Sequence, residues 1–307
     1  ENLRENIQKI WNDLATRSEN IPPAVQYDPS PGQRKNFLSI FLPARNEQVT
    51  KIAFIYGHTA ESSEWTYAHE LGRLHVAETF GDSIRTSVYD GIETPGDVEG
   101  TIERAIADGN EMIFTTAPDF LPASLKTAVN HPGIKILNCS QDASHTSIRT
   151  YSGRAFEAKF LVGVLAGIMT DTGKIGYIAT HPIHGEIASV DAFARGVKMV
   201  NSKAEIYLEW ASLKENQNVD LTDRFYSMGA TYISHHDMIV PQTPTRQFGL
   251  FRVNGETPVN LALPVWDWGK YYELIIRSVQ NGSWNAEKKG DADSAVSYWW
   301  GMSSGVI

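Results

Sequence analysis

Histidines, carboxylates and indoles crowd a few short stretches of this chain, and each stretch follows a run that reads as a β-strand. After Lys51 to Tyr56 come Gly57, His58, Glu61, Ser62, Ser63, Glu64 and Trp65; after Met112 to Thr116 come Pro118, Asp119 and Phe120; after Ile134 to Asn138 come Ser140, Gln141 and Asp142. Further on, the same arrangement gives His181, Pro182, Ile183 and His184, then Trp210 and Ser212, then His235, His236 and Asp237, then Trp266 and Asp267. Loops at the carboxyl ends of strands are where open α/β sheets hold their ligands. Aromatic faces mixed with hydrogen-bonding groups suit a flat ligand with a polar edge, such as a nucleobase, through stacking on the face and hydrogen bonds on the edge.

Other chemistries find less support in the same residues. His235 and His236 are adjacent at a strand end, so their side chains point to opposite sides, which disfavours a shared metal; solvated loop residues explain them as well. Glu61, Glu64, His58 and Asp237 could form an acid-base group of the kind a nucleoside hydrolase needs, but nothing in their spacing demands it. No Gly-x-Gly-x-x-Gly follows a strand, and neither a Gly-Lys-Ser/Thr phosphate loop nor a Gly-x-Ser-x-Gly elbow is present. The enzyme reading therefore finds little support, and no catalytic residue, cofactor or metal is expected. Trp65 could equally plug the end of a sheet, Phe120 taken alone reads as core, and Trp299-Trp300 read as sheet and lobe packing.

The elements that must position these loops follow a strand, loop, helix repeat. Lys51 to Tyr56 and Lys174 to Ala179 are near copies without polar alternation, as expected of strands covered on both faces in a parallel sheet. A helix from about Thr66 to Phe80 is expected to bury Tyr67, Leu71, Leu74, Ala77 and Phe80, with Gly81 just past its end. Thr94-Pro95 with Asp97 predicts a capped helix start, and Gly109 its end. Gly153 to Thr170 is the organising helix: Phe156, Phe160, Leu161, Val164 and Ile168 recur at helical spacing, and Gly163 and Gly167 leave a smooth strip for close approach of another backbone. Beyond Ser234 two prolines leave little room for a crossover helix, so an irregular loop is expected before strands at Gly249 to Val253 and Pro258 to Leu263. A helix over Gly269 to Val279 and a strand over Ala295 to Trp300 complete the succession, which predicts two doubly wound parallel-sheet lobes.

Bulk properties set limits on partners and compartment. A length of 307 residues with 42% hydrophobic content suits one or two α/β domains. A formal net charge of -9 without a basic cluster argues against nucleic acid and anionic membrane surfaces. The single cysteine, Cys139, excludes an internal disulfide and reads as a small core residue. Asn2 to Ala15 reads as an amphipathic helix with Leu3, Ile7, Ile10, Trp11 and Leu14 on one face, and residues 20 to 48 as a linker with an apolar patch at Phe37 to Leu42. The division expected is residues 1–48 as helix and linker, 49–150 as the first lobe, and 151–307 as the second, with its late segments crossing back to the first.

Six blocks in one order carry a family likeness: Trp65-Thr-Tyr-Ala-His-Glu-Leu-Gly-Arg73, Ile113-Phe-Thr-Thr116, Tyr151 to Thr170, Lys174-Ile-Gly-Tyr-Ile-Ala179, Asp191-Ala-Phe-Ala-Arg-Gly196 and Val265-Trp-Asp-Trp-Gly269. Together they resemble the basic membrane protein family, the PnrA-like substrate-binding proteins of ABC transporters. The resemblance implies a type I periplasmic-binding-protein fold, two lobes on a hinge, and a purine nucleoside or nucleobase as ligand. By matched position it implies ligand contacts from Trp65 and Glu61, from Phe120, from Pro182 to His184, and from His236, Asp237 and Trp266, to which the strand-end loops add Ser140 and Trp210. An ABC transporter permease as partner and an extracytoplasmic, lipid-anchored location are implied in the same way. The helical start resembles instead the fused members in which this domain follows another and acts as a cytoplasmic sensor; a ligand-sensing role is the second expectation, a nucleoside hydrolase the third.

Overall fold

In the computed structural model, residues 49–141, 145–216, 219–238, 246–253, 257–286 and 295–307 are described. The expected helix at Asn2 to Ala15, the linker, and most of the loop after Asp237 lie outside these residues. The chain begins with β1 (Thr50–Ile55), α1 (Glu64–Phe80), β2 (Ile84–Tyr89), α2 (Pro95–Ala107), β3 (Met112–Thr115), α3 (Leu121–Asn130), β4 (Lys135–Cys139) and β5 (Arg149–Gly153). It continues through α4 (Ala155–Met169), β6 (Lys174–Ala179), α5 (His184–Val200), β7 (Glu205–Trp210), α6 (Leu221–Ser227), β8 (Tyr232–Ser234), β9 (Leu250–Arg252) and β10 (Val259–Ala262). The last elements are α7 (Trp268–Gln280), the short α8 (Ser283–Ala286) and β11 (Val296–Trp300).

These strands form two sheets. The first has the order β11-β5-β4-β3-β1-β2 with every pairing parallel. In the second, ordered β10-β9-β8-β6-β7, the strands β6, β7 and β8 are parallel, whereas β9 runs antiparallel to β8 and β10 to β9. The expectation of a wholly parallel second lobe is corrected at this edge. The chain from β8 to β9 has no crossover helix among its described residues, and a strand that returns without one pairs antiparallel. β1 and β6, the near copies, occupy inner positions in their sheets, and Ile52, Ala53, Phe54 and Ile55 have no exposed surface.

The chain passes from the first sheet to α4 directly after β5, and it returns between β10 and α7. Helix α7 then packs on the first sheet: Tyr272 meets Phe54 edge-on at 5.0 Å, and Tyr271 stacks on Tyr151 at 4.5 Å. The crossing is strapped near the chain's end. Arg154 donates its backbone N–H to the Trp300 carbonyl at 2.7 Å, Glu157 Oε2 accepts the Met302 N–H at 2.8 Å, and Asp267 N–H meets the Val306 carbonyl at 2.8 Å.

The helix faces differ from the spacing-based expectation in an instructive way. On α1 the buried residues are Thr66, His69, Gly72 and Val76, while Leu71 and Leu74 remain 49% and 48% exposed. Close packing against α7 selects that face, because a Cβ on Gly72 would lie 2.8 Å from Trp268 Cβ. On α4 the buried stripe is Ala155, Lys159, Val162, Gly163, Val164, Ala166 and Gly167, with Ile168 39% exposed. The smooth strip is confirmed: a Cβ on Gly163 would lie 2.2 Å from the Phe193 carbonyl oxygen, and one on Gly196 of α5 2.1 Å from that of Phe160. Thr94 precedes Pro95 as expected, but its hydroxyl donates to the Asp97 carboxylate at 2.6 Å and caps no backbone group.

Candidate ligand site between the sheets

The strand-end loops of the two sheets approach one another. The loop from β4 to β5 reaches the second lobe, since a Cβ on Gly185 at the start of α5 would lie 3.8 Å from Gln141 Nε2. Glu64, at the start of α1, lies close enough to Asp237, after β8, for the negative charge of Asp237 to add to the burial that raises the Glu64 carboxyl above the usual carboxylate range. Residues far apart in the chain, Glu64 and Asp237, are thus brought near one another.

On the first-lobe side the central residue is Trp65. Helix α1 places it: Ser63 is the N-cap, its Oγ accepting the Thr66 N–H at 3.2 Å, and the indole follows in the first turn. The half-buried indole donates Nε1–H to the Thr116 carbonyl at 2.7 Å, which ties it to the end of β3. Its ring meets His69, Trp268 and Trp266 edge-on at 4.8, 5.8 and 6.4 Å. His69, buried under Trp268 and bonded through Nδ1 to the Tyr272 hydroxyl at 2.6 Å, is pulled down to about 3 by burial and so stays neutral. Replacing Ser63 with alanine should lower stability by about 1 kcal/mol through loss of the cap, read as a small drop in melting temperature.

On the second-lobe side a charged pair lies buried at the end of β8. Lys159 Nζ, on a side chain only 1% exposed, bonds Asp237 Oδ1 at 2.5 Å and the His235 carbonyl at 3.3 Å, and lies 5.2 Å from the centre of the Tyr177 ring. Burial pushes the Asp237 carboxyl up, and the Lys159 charge and hydrogen bond oppose that push. Glu186 on α5 is raised by burial too, opposed by Lys159 and assisted by Asp237. His235 is lowered to about 3 by burial, then by His236 and Lys159, and His236 is lowered for the same first reason. The two imidazoles bond each other through their Nδ1 atoms and are neutral near pH 7.

The residues expected to line the site fall into distinct groups. Trp65 follows Glu64, whose carboxyl feels the charge of Asp237, with His236 next to Asp237 in the chain and Trp266 beside Trp65. Trp266 packs with the first-lobe core and against Gly153, where a Cβ would lie 2.9 Å from its ring, so it is not the second lobe's contribution to the cleft. Glu61, Pro182, Ile183 and His184 are exposed, and Ile183, at 64%, is the N-cap of α5. Phe120, 2% exposed, packs in the core with Ile55, Ile92 and Ile113; Ser140, 7% exposed, closes the end of β4. Trp210 ends β7 and packs half-buried on the second-lobe core. Sequence reasoning passed over Lys159, Glu186 and Tyr177. The available signal was a lysine on the same helical stripe as Ala155, Val162, Gly163 and Ala166, a stripe of small and apolar residues that solvates no charge.

Among the described residues no group of histidines, cysteines and carboxylates could hold a metal ion, and no helix is long and apolar enough to cross a membrane. A separate hollow of about 470 Å³ at the end of β2 is lined by Tyr89, Arg104 and Asp108 among others. Its Tyr89 hydroxyl already donates to Asp108 at 2.6 Å.

Comparison with known proteins identifies the family and several relatives. The family described as ABC transporter substrate-binding protein PnrA-like matches residues 49–240. A purine-binding protein of Brucella abortus is 24% identical over 274 residues, which covers 86% of this chain and 76% of that protein. A relative from Haloferax volcanii, named for glucose binding in an ABC transporter, is 24% identical over 286 residues, covering 86% of this chain and 67% of its own length. Among solved structures, an ABC transporter solute-binding protein of Conexibacter woesei matches with a TM-score of 0.58 at 13% identity, covering 76% of this chain and 82% of that one.

Proposed function

Because the chain belongs to the PnrA-like family of ABC transporter substrate-binding proteins, we propose that it captures a purine nucleobase or nucleoside in the cleft between its two lobes and presents it to a membrane permease. The observation that carries this reading is the pairing of chemistries across the cleft: an indole held at the end of the first sheet by its bond to Thr116, and a buried carboxylate held at the end of the second by Lys159. An aromatic face and a fixed acceptor suit a planar ring whose edge carries N–H groups. The relative named for purine binding supports the same ligand class, and the relative named for glucose binding supplies the competing one.

The ligand acts here as cargo. In the proposed role a bound nucleoside leaves as it came. Family membership also supports a location outside the cytoplasm, with lipid anchoring as the mode expected from the resemblance.

Isothermal calorimetry with adenine, guanine, hypoxanthine, adenosine, guanosine, inosine and glucose tests the reading. At least one purine should bind in the micromolar range or tighter, about -8 kcal/mol. Binding of glucose alone would overturn the purine assignment, and release of free base from a nucleoside would replace a carrier with an enzyme.

A further inference from the structure

Lys159 is an ammonium on the buried stripe of α4, and its environment accounts for it fully. A charge so enclosed needs acceptors. Asp237 Oδ1 at 2.5 Å, the His235 carbonyl at 3.3 Å and the face of Tyr177 provide them, all from the second lobe. The ammonium is therefore turned inward and is not offered to a ligand. The carboxylate it holds is 13% exposed and keeps acceptor capacity beyond the bond to Lys159.

Resting on the purine reading above, the geometry points to Lys159 as a positioning residue that clamps Asp237 in one orientation and in its ionised, acceptor-only form, so that the ligand edge meeting the second lobe must carry N–H donors. An exocyclic amine beside a ring N–H is such an edge. A ligand that offers only acceptors there meets lone pairs with lone pairs.

The groups around the pair sharpen this role. Glu186 faces it from α5, Tyr177 from β6, His235 and His236 from the loop after β8, and Glu64 from α1 across the cleft. Burial raises the Glu64, Glu186 and Asp237 carboxyls, and it keeps both imidazoles neutral near pH 7, so they bring no positive charge. Lys159 is the cation bonded to Asp237. Without its charge the Asp237 carboxyl rises further and takes up a proton; its O–H then points a donor at a donor edge, and raising the pH restores the acceptor.

The test uses the full chain as wild type, Lys159→Gln and Lys159→Arg, and it has two readouts. The first needs no ligand: a carboxyl carbon-13 NMR titration, with Asp237 assigned by Asp237→Asn. Asp237 should be ionised at pH 7 in the wild type and in Lys159→Arg, and its midpoint should move up in Lys159→Gln. A protonated Asp237 in the wild type at pH 7, or an unmoved midpoint in Lys159→Gln, overturns the inference; the wild-type result decides even if the glutamine variant fails to fold. The second readout is affinity for guanine and adenine at pH 6 and pH 8.5. Lys159→Gln should bind about 10- to 100-fold more weakly at pH 6 and recover to within about threefold of wild type at pH 8.5. An equal loss at both pH values would make Lys159 a purely structural tie. If the wild type binds no purine, the ligand class is wrong, while the carboxyl titration still decides the role of Lys159.

Discussion

Replacing Trp65 with alanine is expected to remove most of the thermal stabilisation that a purine gives the wild type. Ligand at about 100 times its dissociation constant stabilises the native state by about 2.7 kcal/mol, which for a chain of this size is a rise of about 5 °C. Stacking of a base on an aromatic side chain is worth roughly 1–3 kcal/mol. A loss in the upper part of that range weakens binding about 100-fold, and at unchanged ligand concentration the stabilisation falls below about 1 kcal/mol. Trp65 also bonds the Thr116 carbonyl and packs against His69, Trp266 and Trp268, so the ligand-free variant should itself melt lower. The informative quantity is therefore the difference between melts with and without ligand, measured within each protein. An undiminished difference in Trp65→Ala would reduce the indole to a packing residue.

Asp237 should separate binding from stability according to what replaces it. In Asp237→Asn the amide oxygen can still accept from Lys159, which turns the amide N–H2 toward the ligand. A donor then faces the donor edge, and a charge-assisted hydrogen bond worth roughly 1.5–3 kcal/mol is lost. Affinity should fall about 10- to 100-fold, with a melt below that of wild type but above that of Asp237→Ala, since the amide still accepts from Lys159 without cancelling its charge. Asp237→Ala removes the partner of an ammonium that is 1% exposed. An uncompensated buried charge costs roughly 3–5 kcal/mol, so this variant should unfold at clearly lower denaturant. Calorimetry and denaturant melts of the two variants check the contrast, and wild-type affinity in Asp237→Asn would put Asp237 outside the site.

Much of the scaffold was legible because its signals are local. The unalternating runs at Lys51 and Lys174 mark strands covered on both faces, and they became β1 and β6. Gly163 announced a close helix crossing, which α5 provides. What escaped depends on partners distant in sequence. Leu71 and Leu74 looked like the core face of α1, but Trp268 and Tyr272 of α7, nearly two hundred residues on, pack instead against Gly72. The antiparallel edge of the second sheet was foreshadowed by two prolines that spoil a crossover helix, yet the pairing of β9 with β8 has no signature within either strand. Phe120, core when read alone and a ligand contact only by the family resemblance, packs in the core.

The site followed the same rule. An indole at a strand-end loop is suspect by type and position alone, so Trp65 could be singled out. Lys159 could not be assigned in that way, because a lysine on a helix ordinarily reads as solvated, and its carboxylate partner lies 78 residues further along the chain. Only the fold brings α4 under the loop after β8 and turns two ordinary charges into one buried pair.

The central claim is that one ligand touches both lobes at once, and amide hydrogen exchange with and without a bound purine tests it most directly. A purine held between Trp65 and Asp237 should slow exchange in residues 57–65 of the first lobe and in residues 235–238 of the second, together and at the same ligand concentration. Slowed exchange confined to one lobe, or placed at the hollow beside Tyr89 and Asp108, would contradict a cleft-bound ligand.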